Sequence, residues 1–149
     1  MDRSEENLWL ELVVSSPVLF VTNDFGPRAG GIETFVIGLI ERRPFGQTIV
    51  YTSAQAGSEE YDKAWKTDFG VTVIRDRAKI LLPTPRVARN VARIIKESEI
   101  QVAAFGAAAP LGLLSASMKR AGVQKTAALT HGHEVWWAKV FPFNLALRK

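Results

Sequence analysis

From residue 17 onward, short apolar runs alternate with longer amphipathic ones. Residues 17–21 (PVLFV), 47–52 (QTIVYT), 71–74 (VTVI), 100–105 (IQVAAF) and 125–130 (KTAALT) are apolar or β-branched and bounded by turn formers, the pattern of buried strands. Between the first two, Ile32, Phe35, Val36, Leu39 and Ile40 fall on one helix face within residues 32–43. Thr84-Pro85 predicts a helix start, with a hydroxyl N-cap and proline at the first helical position. On that helix Val87, Val91, Ile94 and Ile95 share one face and Arg86, Arg89, Arg93 and Lys96 another. Residues 106–112 (GAAAPLG) lead into a further helix, marked at its start by Pro110 and at its end by Lys119, Arg120 and Gly122. Residues 53–68 are polar and are expected to be irregular, with Tyr61 and Trp65 anchoring them and Gly70 ending them. Residues 1–16 form an unassigned extension, compatible with a short amphipathic helix or a frayed segment.

Five strands alternating with helical segments predict an α/β domain over residues 17–149, a doubly wound, mainly parallel sheet with helices on both faces. The length of 149 residues suffices for one core, and 47% hydrophobic with 23% charged residues fits an ordinary globular domain. The absence of cysteine excludes disulfides and thiolate metal sites. A net charge of +4 and a pI near 9.6 favour an acidic partner: a phosphate ligand, anionic lipid or nucleic acid. Asp2, Glu5 and Glu6 speak against a secretory signal, and no apolar run reaches the length of a membrane span, so membrane contact is expected to be peripheral.

Three loops that follow strands carry the candidate chemistry, and all should reach the carboxyl edge of the sheet, where ligands bind in such folds. In residues 22–35 (TNDFGPRAGGIETF), Gly30 and Gly31 open a helix without side chains of their own. Backbone N–H groups and the positive helix end could there meet an anion such as a nucleotide phosphate; a plain turn is the alternative. Gly106, Ala107, Ala108 and Ala109 either leave room for a ligand or allow tight helix packing. His131 and His133, with Glu134, fit a metal site, an acid–base pair or a structural role. The basic face of Arg86, Arg89, Arg93 and Lys96 is either solvated or a dock for anionic headgroups, worth about 1 kcal/mol per basic residue. No aromatic residues interleave with these charges, which disfavours nucleic acid, and no G-x-G-x-x-G is present, which disfavours a dinucleotide dehydrogenase.

The loop also resembles the glycine-glycine loop of family 4 glycosyltransferases, retaining enzymes of the GT-B fold, above all the GDP-mannose-dependent mannosyltransferases that act on phosphatidylinositol mannosides. Asn23, Asp24, Phe25, Pro27, Arg28, Gly30, Gly31 and Ile32 stand in the register N-D-F-P-P-R-x-G-G-I. Gly26 departs from the family's second proline and is expected to loosen the loop. The segments LLPTP (81–85), FGAAAPLG (105–112) and THGHE (130–134) extend the resemblance over nearly all of residues 17–149. It implies the Rossmann-like, acceptor-side N-terminal half of such an enzyme, with GDP-mannose as donor substrate, phosphatidylinositol monomannoside or a related glycolipid as acceptor, and no obligatory metal or other cofactor. Gly30, Gly31 and Arg28 would meet the donor diphosphate and the acceptor phosphate, and His131 would stand at the reaction centre. Asn23, Asp24, Gly106, Ala107, His133 and Glu134 would shape the acceptor pocket. Arg86, Arg89, Arg93 and Lys96 would face the inner surface of the cell membrane from the cytoplasm. The family's nucleotide-holding domain is absent from this sequence, so the chain alone is expected to be inactive. The alternative expectation is a non-catalytic domain that binds anionic lipid or phosphate ligands.

Overall fold

The computed structural model describes residues 16–28 and 30–131. Within them, β1 (Val18–Thr22), α1 (Gly31–Glu41), β2 (Thr48–Thr52), α2 (Ser58–Phe69), β3 (Thr72–Arg75), α3 (Pro85–Glu97), β4 (Val102–Phe105), a 3-10 turn (Leu111–Leu114), α4 (Ser115–Ala121) and β5 (Lys125–Ala128) follow in order. The five strands form one parallel sheet in the order β3-β2-β1-β4-β5. β1 is buried along its whole length, as its uninterrupted apolar run requires of a central parallel strand. Strand order reverses between β1 and β4, so the loops leaving these two strands part from each other at their carboxyl ends.

Helices cover both faces. On one, Val87, Val91, Ile94 and Ile95 of α3 pack with Met118 of α4 over Leu19, Val21, Ala103 and Phe105. On the other, Val36 and Ile40 of α1 and Trp65 of α2 cover Val18, Phe20 and Val50. Thr84 caps α3 as predicted, its hydroxyl accepting from the Val87 N–H.

Residues 58–69 are helical rather than irregular, which corrects the sequence expectation. Tyr61, Trp65 and Phe69 recur at four-residue spacing and form one narrow aromatic stripe on an otherwise polar helix. Trp65 stacks on Phe69 at 4.7 Å and meets Phe25 of the glycine loop at 5.2 Å. Gly70, in the left-handed conformation, closes this helix. The segment after Pro110 also differs, since a 3-10 turn precedes the short α4. β5 ends at Ala128, two residues earlier than the apolar run suggested.

Candidate functional site

The strand reversal brings Thr22 at the end of β1 against Gly106 just after β4. The Gly106 N–H donates to the Val21 carbonyl at 3.0 Å, and any Cβ on Gly106 would collide with the Thr22 side chain. Glycine is therefore required here by the close approach of two central strands. The Thr22 hydroxyl accepts from the Asp24 N–H at 2.9 Å and so starts the turn of the glycine loop. From the neighbouring β5 side, His131 Nε2 donates to the Gly106 carbonyl at 2.6 Å. A carbonyl can only accept, so this contact places a proton on Nε2. The His131 ring also meets Phe35 of α1 edge-on at 6.1 Å. Thr22 at the end of β1, Gly106 after β4, His131 after β5 and Phe35 of α1 thus meet in one place. Ala107 lies beside them, half-buried, whereas His133 and Glu134 lie outside the described residues.

The glycine loop is clamped along its first half. Arg75 reaches out from β3 to the carbonyls of Gly26 at 2.7 Å and Phe25 at 3.4 Å. Asp62 of α2 holds the same guanidinium in a two-pronged ion pair at 2.7 and 2.8 Å. Phe25 is fully buried, and a Cβ on Gly26 would run into the Tyr61 ring. In the folded chain the Tyr61 ring lies over Gly26, and a larger residue there would require the Tyr61 side chain to move. Asn23, placed by sequence in an acceptor pocket, uses both amide atoms on the backbone of Leu81, at 2.6 and 3.1 Å.

The second half of the loop is open. Gly30 is extended (φ −157°), Gly31 begins α1, and a Cβ on either would meet nothing within 4 Å. Neither local strain nor packing demands glycine at these positions, in contrast to Gly106. No side chain caps the first turn of α1, and both glycines are exposed, so its N–H groups face an unobstructed surface. Arg28 is exposed beside them, its backbone N–H near the Gln55 amide oxygen at 3.4 Å.

Glu33 belongs to none of the family motifs and is the one carboxylate in the first turn of α1. Its position in the first helical turn suits the helix dipole, yet the side chain is buried against the loop. Burial raises its pKa, opposed by a hydrogen bond from the Gly26 backbone and reinforced by the nearby Asp24 carboxylate. An acid whose folded pKa is raised costs stability once the pH exceeds its unfolded value of about 4.3. Glu33→Gln is accordingly expected to stabilise the fold at pH 7 and to lose that advantage near pH 4, as read by urea unfolding at both pH values.

On the basic face, Arg86 differs from its neighbours. Its guanidinium grips the Asp76 carboxylate at 2.7 and 2.8 Å, tying α3 to the end of β3. Asp76 is buried and also accepts from the Tyr51 hydroxyl, the Ala78 N–H at 2.8 Å and Asn90 at 3.3 Å. The Arg86 guanidinium, with these other donors, holds the Asp76 carboxyl well below the usual carboxylate range. Burial and the adjacent Asp76 push the Tyr51 hydroxyl up to about 12. Within the four-residue basic patch Arg86 is half-buried and paired with Asp76, while Arg89, Arg93 and Lys96 are exposed.

No family model matches the chain. The chain is 41% identical over 135 residues to the GDP-mannose-dependent monoacylated alpha-(1-6)-phosphatidylinositol monomannoside mannosyltransferase of Corynebacterium glutamicum, a match covering 91% of this chain and 35% of that protein. It is 42% identical over 134 residues to the GDP-mannose-dependent alpha-(1-6)-phosphatidylinositol monomannoside mannosyltransferase of Mycolicibacterium smegmatis, covering 89% of this chain and 35% of the relative. The protein of that same description from Mycobacterium tuberculosis is 40% identical over 138 residues, covering 90% and 35%. The chain thus spans about a third of the length of these relatives. The homology agrees with a parallel α/β sheet of the kind found in the N-terminal half of a glycosyltransferase.

Proposed function

We propose that this chain is the acceptor-side, N-terminal domain of a retaining mannosyltransferase that moves mannose from GDP-mannose to phosphatidylinositol monomannoside or a related glycolipid. What supports this reading is the meeting of His131, Gly106 and Phe35 of α1 at the strand reversal, with the Gly30-Gly31 start of the same helix exposed, in a chain about 40% identical to such enzymes. The exposed N–H groups at Gly30 and Gly31, with the positive end of α1, would stabilise charge that develops on the leaving diphosphate, a large catalytic term in transfer reactions. His131, oriented by the Gly106 carbonyl, would stand beside the departing sugar. The reading needs neither a metal nor a further cofactor. It assigns the nucleotide to a second domain, without which this half is expected not to turn over.

Arg89, Arg93 and Lys96 give α3 a cationic face suited to anionic lipid, and Arg86 fixes the direction in which that face points. This supports peripheral work at the inner face of the cell membrane. Among the described residues no helix is long and apolar enough to cross a membrane. The same face favours a second reading, a non-catalytic domain that binds anionic lipid.

An NMR titration with the water-soluble, deacylated headgroup of phosphatidylinositol monomannoside distinguishes the two. The transferase reading expects shifts at the Gly30 and Gly31 amides and the His131 ring. Shifts confined to Arg89, Arg93 and Lys96 would reject it and support the second reading.

A further inference from the structure

Two of the exposed large apolar side chains, Ile80 (65% exposed) and Leu82 (51%), sit on the loop from β3 to α3, on either side of the fully buried Leu81. The cause is local. Asn23 brackets the Leu81 backbone with two hydrogen bonds and draws its side chain inward. With Leu81 drawn in, the residues before and after it are left in solvent. The loop is also held from its start, because the Ala78 carbonyl accepts from the Ala54 N–H at 2.8 Å and the Ala78 N–H donates to Asp76. The loop thus holds two large aliphatic side chains in water, close together along the chain.

Ile80 also lines a cleft of about 480 Å³, together with Pro27, Arg28, Ala54, Gln55, Ala56 and Lys79. Its walls are mainly apolar, and its two cations come from the glycine loop (Arg28) and from the residue before Ile80 (Lys79), both exposed. Two cations in an apolar cleft, rimmed by exposed aliphatic side chains, fit a ligand that joins one anionic group to hydrocarbon.

We propose that this cleft seats the phosphodiester of a glycerophospholipid acceptor between Arg28 and Lys79, with Ile80 and Leu82 as the lip that meets its acyl chains at the bilayer surface. This rests on the mannosyltransferase reading and adds Lys79, Ile80 and Leu82 to its acceptor side. The carbohydrate of the headgroup would then run from Arg28 past Gly30 and Gly31 toward His131. A protein partner on the same apolar lip is the competing occupant.

The test uses two probes, glycerophosphoinositol in solution and phosphatidylcholine vesicles with and without phosphatidylinositol, against three proteins with circular dichroism as the fold control. The charge variant Arg28→Ala/Lys79→Ala should bind glycerophosphoinositol about tenfold or more weakly, the loss of at least one charge-assisted contact of about 1.4 kcal/mol. The lip variant Ile80→Ser/Leu82→Ser should keep headgroup binding and lose the salt-resistant part of binding to phosphatidylinositol vesicles. Unchanged headgroup binding in the charge variant, or unchanged vesicle binding in the lip variant, would overturn the proposal, as would absence of vesicle binding in the parent chain. Mannosyl transfer by the chain joined to a donor domain separates this outcome from the reading beneath it. Transfer with an unaltered acceptor KM in the charge variant sinks the cleft and leaves the function. Lack of transfer with intact, lip-dependent vesicle binding sinks the function and leaves the lipid site.

Discussion

Replacing Asp76 by alanine should lower the stability of the domain by about 3 kcal/mol, against a total of about 5–15 kcal/mol for a typical domain. The carboxylate is the shared acceptor for the Tyr51 hydroxyl, the Ala78 N–H, Asn90 and both prongs of Arg86. The buried Tyr51 would lose the acceptor of its hydroxyl proton while keeping the Asn90 donor at 3.2 Å, and a buried donor left unpaired costs about 1–3 kcal/mol. Asp76→Asn keeps an acceptor for Ala78 and should lose less. The effect also has a pH signature. The folded pKa lies far below the unfolded value of about 3.9, so the stabilisation is complete above about pH 4 and declines as pH falls through the folded value. Urea unfolding between pH 7 and pH 2 should therefore show a flatter acid limb for Asp76→Ala than for the parent chain. A parallel pair of curves would mean that Asp76 is not ionised in the fold.

Gly106→Ala should cost about 2–3 kcal/mol, in the range of overpacked cores. The added methyl would stand 2.6 Å from Thr22 Cβ, closer still to the hydroxyl, and 3.4 Å from Val36 Cγ2. Thr22 is fully buried at the end of β1 and cannot turn aside, so the ends of β1 and β4 would have to separate. That movement would displace the carbonyl that receives His131 and the hydroxyl that receives the Asp24 N–H. The same methyl at Gly30 meets nothing within 4 Å, and Gly30→Ala should change stability by less than about 0.5 kcal/mol. Thermal unfolding of the two variants side by side reads the contrast directly. Equal losses would mean that Gly30 is a structural glycine after all.

These contrasts show what was legible in the chain. The strands announce themselves because central parallel strands are buried on both faces and need uninterrupted apolar runs, as in residues 17–21 and 100–105. The same rule places the loops after them at one edge. The helix over Ser58–Phe69 stayed hidden because three aromatic side chains at four-residue spacing suffice to dock it, while its other positions are charged or small. Arg86 reads as one more cation of a basic stripe, and only the return of α3 over the end of β3 shows that Asp76 is its partner. Asn23 resembles a ligand residue by motif, yet its amide is taken up by Leu81, 58 positions along the chain. The bond between His131 and Gly106 depends on β4 lying beside β5, which pattern alone does not specify. What remained out of reach were side chains whose partners lie on other elements.

The central claim is that the Gly30-Gly31 loop and His131 belong to one half of a mannosyltransferase centre. The most direct measurement is transfer of mannose from GDP-mannose to phosphatidylinositol monomannoside, made on this chain and on the chain joined to a donor domain from one of its relatives. Product is expected from the joined protein alone, and its loss on His131→Ala with the fold intact. Product from this chain by itself, or undiminished transfer by the joined His131→Ala protein, would contradict it.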